Sequence, residues 1–267
     1  MFEYVECRVD GPLGYIKLNR PAVLNAINRQ VTNEAAEALN QLECDDRVRA
    51  IIVHGEGRAF SAGFDLSAEG APNSLREWDV YVQKDYDFIM GFWSSPKPTI
   101  AAVHGFCLAG AFELALACDI TIAAENTRFG EPEVRFGSGI VCMMLPWLAN
   151  GKHTRELLLT GFDKVTAERA YEIGIVNRVV PDGEHLTTAD AIARDIAAAS
   201  RTAVTMTKRA INRNLEAQGL HGGLQAARDI CVSINGMGDP EFEPFERIRK
   251  EQGLKAAIAW RDARYSF

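Results

Sequence analysis

Residues 99–119 read TIAAVHGFCLAGAFELALACD, and how this stretch is divided decides the fold. Thr99–Val103 is β-branched and apolar, the pattern of a buried strand, and His-Gly closes it. The residues after it, FCLAGAFELALACD (106–119), are almost wholly apolar and read as a helix. That helix nevertheless carries one carboxylate, Glu113, among Leu and Ala. A second stretch, AIIVHGEGRAFSAGFDL (50–66), has the same form: a strand ending in His-Gly, then a turn of small residues.

Working outward, FEYVECRVD (2–10) and LGYIKLN (13–19) flank GPLG and predict a hairpin. A helix is predicted over 28–46, with Val31, Ala35, Ala38, Leu39 and Leu42 at helical spacing. Another is predicted over 75–93, ended by SSPKPT, because Pro disfavours helix at the residue before it. DITIAAE (119–125) and IVNRVVP (175–181) read as strands. HTRELLLTG and TAERAYEIG read as helices stopped by Gly. The stretches 188–218 and 222–236 read as long amphipathic helices. Strands alternating with helices to about residue 130, then a helical tail, predict one α/β unit with a mainly parallel sheet.

Composition narrows the function. The 267 residues are 47% hydrophobic and 24% charged, a globular balance. A net charge of −7 argues against a nucleic-acid face, which needs clustered Lys and Arg. The N-terminus has no basic region followed by an apolar one, and no apolar run reaches about 18 residues. The expectation is a cytoplasmic protein without a membrane partner. Six cysteines at 7, 44, 107, 118, 142 and 231 lack C-x-x-C spacing and read as reduced core filler, so no metal is expected. The five histidines, at 54, 104, 153, 185 and 221, are isolated in the sequence and read as structural or surface residues. GEGRAF (55–60) and GSGIVC (137–142) each begin G-x-G, but neither completes a dinucleotide fingerprint.

The two strand-then-turn stretches admit two readings. Both are tight turns, or both present backbone N–H groups that converge as an oxyanion hole, the second at a helix start. Glu113 is either a capping acid or a carboxylate facing a dry pocket. Glu133, after Pro132 in FGEPEVRFG (129–137), is either a solvated loop acid or an aimed one, with Glu131 its solvent-facing neighbour. Two glutamates beside such a hole would form an acid–base pair with pKa values pushed apart.

LNRPAVLNAIN (18–28), IIVHGEGRAFSAGFDL (51–66), the run 98–137 and LLLTGFDKVTAERAYEIGIVNRVVP (157–181) together resemble the crotonase superfamily, the enoyl-CoA hydratase/isomerase family. The resemblance covers nearly the whole chain. It implies a crotonase-like spiral of ββα units over 1–200 and a helical C-terminal oligomerisation segment over 201–267, in one structural unit. It implies an acyl-CoA thioester substrate, whose coenzyme A is the only cofactor-like group, and a homotrimer or dimer of trimers. By position, the N–H groups of Phe64 and Gly110 would bind the thioester oxygen. Glu113 would activate water and Glu133 would protonate the alpha carbon. Ala62, Gly63, Asp65 and Leu66 would form the substrate loop, with Ala62, Asp65 and Leu66 around the adenine. Hydration is the reaction this implies. A double-bond isomerase using Glu133 and a non-catalytic acyl-CoA-binding scaffold are the alternatives.

The sequence departs from the family pattern in places. Where hydratases carry a Pro-Gly-Ala-Gly-Gly-type loop, this chain has FGSGIVCMMLPWLANGK (136–152). Ala109 and Ala111 stand where glycines are frequent, and Phe64 replaces a usual alanine. Met143, Met144 and Trp147, with the aromatic helix at 75–93, either line the acyl site or belong to the core.

Overall fold

The computed structural model describes residues 2–66 and 72–265. The predicted hairpin is present. β1 (Val5–Asp10) runs antiparallel to β2 (Leu13–Leu18), in register from Val5↔Leu18 to Asp10↔Leu13, and Gly11 turns the chain at φ +55°. After a short polar turn comes α1 (Arg29–Cys44), whose first turn is capped by the Asn28 side chain accepting the Val31 N–H at 2.9 Å. The chain then enters β3 (Ala50–Gly55), parallel to β2.

α2 (Leu75–Ser94) starts at Ser74, which accepts the Glu77 N–H, while the Glu77 carboxylate accepts the Asn73 N–H at 2.8 Å. β4 (Thr99–Val103) adds to β3, β5 (Phe106–Leu108) leaves that sheet, and α3 (Gly110–Ala117) follows. β6 (Ile120–Ala124) joins β4, and β7 (Arg128–Gly130) joins β5. Then come the single turn α4 (Leu145–Leu148), α5 (Gly151–Thr160), β8 (Val165–Thr166), α6 (Ala167–Glu172) and β9 (Arg178–Val180). The chain finishes with α7 (His185–Ala198), α8 (Arg201–Ala217), α9 (Leu220–Met237), α10 (Glu243–Gln252) and α11 (Leu254–Asp262).

One sheet has the order β1-β2-β3-β4-β6-β9 and is parallel except for the hairpin; the other has the order β5-β7-β8. The repeat is a strand in the large sheet, a short strand beside the small one, then a helix. β4, β5 and α3 make one such unit. β3, the Ser61↔Cys107 bridge and α2 make another. This is the α/β spiral that the sequence led us to expect. Phe60, Phe92, Phe112 and Phe129 are fully buried between its layers. Burying a side chain of that size contributes about 1.5–3 kcal/mol.

Several sequence readings need correction. Residues 106–108 are not helical. They are β5, because their backbone finds partners in Arg128–Gly130, and the helix starts only at Gly110. The segment 188–218 is two helices, not one. It breaks at Ala199, and Ser200 caps the second by accepting the Ala203 N–H. Cys44 is exposed at the end of α1, although the four cysteines at 107, 118, 142 and 231 are buried and all six are free. His104 and His185, isolated in the sequence and read as structural, meet in the fold. Their rings stack at 4.6 Å between centroids. No described helix is long and apolar enough to cross a membrane.

α8 is fixed to the core by Lys208, whose Nζ donates to Asp119 at 2.7 Å and to the Lys97 carbonyl at 3.1 Å. α8 and α9 leave Met206, Ile211, Ile230 and Met237 more than half exposed.

Candidate active site

The turn after β3 and the turn after β5 lie side by side. Ser61 N–H donates to the Phe106 carbonyl at 2.9 Å, and Leu108 N–H donates to the Ser61 carbonyl at 3.2 Å. Beyond the Ser61–Cys107 bridge the turns stay in contact, with the Phe64 ring against Gly110. Contact is close: a Cβ on Gly63 would come 2.6 Å from the Ala109 Cβ and 3.4 Å from the Gly110 nitrogen. Ala109 is held at φ +55°, ψ −136°, a conformation costly for a residue with a side chain. It is anchored there by its N–H, which donates to the Gly130 carbonyl at 2.8 Å.

Among the described residues, neither the Phe64 N–H nor the Gly110 N–H donates a hydrogen bond. Gly110 opens α3, so its N–H has no partner within the helix, and the helix end adds partial positive charge. The neighbouring amides are occupied. Ala62 N–H donates to Leu24, Gly63 N–H to the Ser61 hydroxyl, and Asp65 N–H to Ile27. The Asp65 carboxylate meets Arg20 at 2.9 Å, and Leu66 is exposed. The loop is thus fixed by its other bonds with two amides left to spare.

Glu113 lies one turn into α3 and is fully buried. It does not cap its own helix. Its Oε1 accepts the Val141 N–H at 3.2 Å, and its Oε2 accepts the Cys142 N–H at 2.8 Å. Those donors come from the loop that departs from the family pattern. A carboxylate has about four acceptor positions, so each oxygen keeps one for another donor. Burial, and then the charge of Glu133, push the Glu113 carboxyl well above the usual range, while the two amides pull it down.

Glu133 opens a short 3-10 turn after Pro132 and is 9% exposed. Its Oε2 is buried without a partner, and burial pushes its pKa up to about 8. Glu131, read from the sequence as solvent-facing, is instead 1% exposed, with neither oxygen hydrogen-bonded. It follows the end of β7, within a run from Phe129 to Glu133 that is buried throughout. Glu131 is two residues beyond Phe129, whose ring meets Phe112 of α3 at 5.4 Å. No residue-type signal in FGEPE marks Glu131 as buried. Burial, then the charges of Glu113 and Glu133, hold the Glu131 carboxyl well above its usual range.

Met144 is fully buried in the core. Met143 and Trp147 are partly buried against it, and Trp147 packs on α9, where a Cβ on Gly223 would lie 2.7 Å from its ring. No group of three or more His, Cys, Asp or Glu among the described residues is arranged to hold a metal ion.

The fold and site define a crotonase-type protein. A sequence model of the enoyl-CoA hydratase/isomerase family matches residues 9–236, and the chain belongs to that family. It is 35% identical over 215 residues to the short-chain-enoyl-CoA hydratase of Clostridium acetobutylicum, covering 78% of this chain and 80% of that relative. It is 34% identical over 272 aligned positions to the crotonyl-CoA hydratase of Syntrophomonas wolfei, covering 99% and 98%. The crystal structure of an enoyl-CoA hydratase/isomerase from Xanthobacter autotrophicus Py2 superposes with a TM-score of 0.98. It is 47% identical, over the full length of both chains.

Proposed function

We propose that this protein is an enoyl-CoA hydratase, adding water across the 2,3 double bond of an acyl-CoA thioester. The Phe64 and Gly110 N–H groups bind the thioester oxygen, where negative charge develops as the beta carbon is attacked. Each such donor contributes about 3–4 kcal/mol to barrier lowering. Glu113, as the carboxylate, orients a water molecule and takes its proton as the oxygen bonds to the beta carbon. Glu133, as the neutral acid, gives its proton to the alpha carbon. Acid and base each add about 10²–10⁴-fold.

The observation that carries this reading is the pair of unbonded amides on two abutting turns, with Glu113 one helical turn beyond one of them. The separate environments of the acids support the division of labour. Glu113 receives two N–H bonds that favour its ionised form, and Glu133 receives no such pair. In this reading Ala62, Gly63, Asp65 and Leu66 form the loop that holds the coenzyme A end. The exposed apolar residues of α8 and α9 are buried between subunits of a trimer or pair of trimers.

A spectrophotometric hydration screen across enoyl-CoA chain lengths, run on the wild type, Glu113→Gln and Glu133→Gln, tests the reading. Loss in both variants is expected. Loss in Glu133→Gln alone, with a double bond that migrates, would assign isomerisation instead. Acyl-CoA binding with no turnover would assign a scaffold.

A further inference from the structure

Glu131 is a buried acid beside the site to which hydration itself gives no task. Its two oxygens have no partner, and the residue is 1% exposed. The Gly130–Ala109 hydrogen bond seats it beside the turn that leads to Gly110, and Glu133 is two residues further on. The charges of Glu113 and Glu133 both reach it, and its own charge reaches the Cys142 thiol. An ionised carboxylate in that place would lack any donor and lie near two other acids, and both disfavour it. Glu131 therefore carries a proton at neutral pH.

Hydration leaves its two glutamates in the wrong protonation states. At the start Glu113 is ionised and Glu133 is protonated. Once water oxygen has bonded to the beta carbon and a proton to the alpha carbon, Glu113 is protonated and Glu133 is ionised. One proton must pass from Glu113 to Glu133 before the next turnover. While it stays bound the product stands between the two carboxyl groups, and Glu113 is fully buried.

We propose that Glu131 resets the site, giving its proton to Glu133 and taking one from Glu113. Two proton hops carry one proton, net, from Glu113 to Glu133; no bond to carbon changes and nothing is oxidised. Glu131 is thus a relay acting through the pair, and the inference rests on the hydration reading.

Glu131→Gln keeps the shape of the side chain and removes the transferable proton. The expected result is a single-turnover rate, with enzyme in excess, within about twofold of wild type, and a steady-state rate lower by about tenfold or more. Glu131→Asp, which keeps a proton to transfer, should recover part of the steady-state rate. If Glu131→Gln does not fold, the Glu131→Asp variant carries the comparison, with its steady-state rate reduced more than its single-turnover rate. Steady-state turnover unchanged in Glu131→Gln, or both rates reduced equally, would overturn the relay. Infrared spectra give a readout apart from activity. Glu133 also gives a protonated-carboxyl band at neutral pH; a second band should vanish in Glu131→Gln and remain in Glu133→Gln, and loss of no band in Glu131→Gln would overturn the proposal. A band lost from an enzyme that hydrates nothing would show the protonated Glu131 to be real and the hydration reading to be at fault, ending the relay with it.

Discussion

The Phe64 ring lies directly against the Cα of Gly110, so a Cβ on Gly110 would overlap the ring and lie 2.5 Å from its Cδ2 and 2.8 Å from its Cζ. The two residues that offer free amides are therefore also in steric contact. Gly110→Ala should displace the ring and with it the Phe64 N–H. We expect kcat/KM to fall by about 10²–10³-fold, comparable to loss of one oxyanion donor. Removing the ring as well, in Phe64→Ala/Gly110→Ala, should restore most of that loss, and a double-mutant cycle measures the coupling.

The two glutamine variants should differ in stability as well as activity. Glu113→Gln presents an amide group where the Val141 and Cys142 N–H groups each need an acceptor. It should cost about 1–3 kcal/mol by leaving one of them unsatisfied. Glu133→Gln breaks no such pair and should be neutral or stabilising at pH 8 and above. Denaturant unfolding of both proteins checks the contrast.

Glu133 must be protonated to donate to the alpha carbon, and its pKa is about 8. Hydration kcat/KM should therefore fall as pH rises through about 8. Dehydration starts from the same one-proton state of the Glu113–Glu133 pair, with the proton on Glu113, so its kcat/KM should fall over the same range. Initial-rate pH profiles in both directions test this.

Stability should follow the same group. The Glu133 pKa is raised from 4.5 unfolded to about 8 folded, so its contribution is fully present below pH 4.5 and is lost as pH rises through about 8. Glu113 and Glu131 shift in the same direction. The thermal midpoint should decline across this window, and less steeply in Glu133→Gln, which carries no titrating group there.

Ala109 sits at φ +55°, where glycine is unstrained. Ala109→Gly should raise stability by about 1 kcal/mol, about 2–4 °C in the thermal midpoint. Calorimetry measures it.

Much of this was legible in the sequence. β3 and β4 announce themselves as β-branched runs closed by His-Gly, and α1 and α2 by periodicity and their Asn28 and Ser74 caps. Glu113 and Glu133 stand out because each is a carboxylate in apolar surroundings. What was hidden depends on partners distant in the chain. Phe106–Leu108 is as apolar as the helix after it, and only pairing with Arg128–Gly130 makes it a strand. Val141 and Cys142 hold Glu113 through backbone amides, which leave no mark on residue type. Glu131 looks like any loop acid until the fold buries the whole run from Phe129 to Glu133.

The most direct measurement is the vibrational frequency of an isotope-labelled thioester carbonyl in an unreactive enoyl-CoA analogue bound to the wild type and to Gly110→Ala. Two backbone N–H groups gripping that oxygen should move the band to lower frequency than in water, with much of the shift lost in the variant. A carbonyl band the same as in water, or the same in both proteins, would contradict the account.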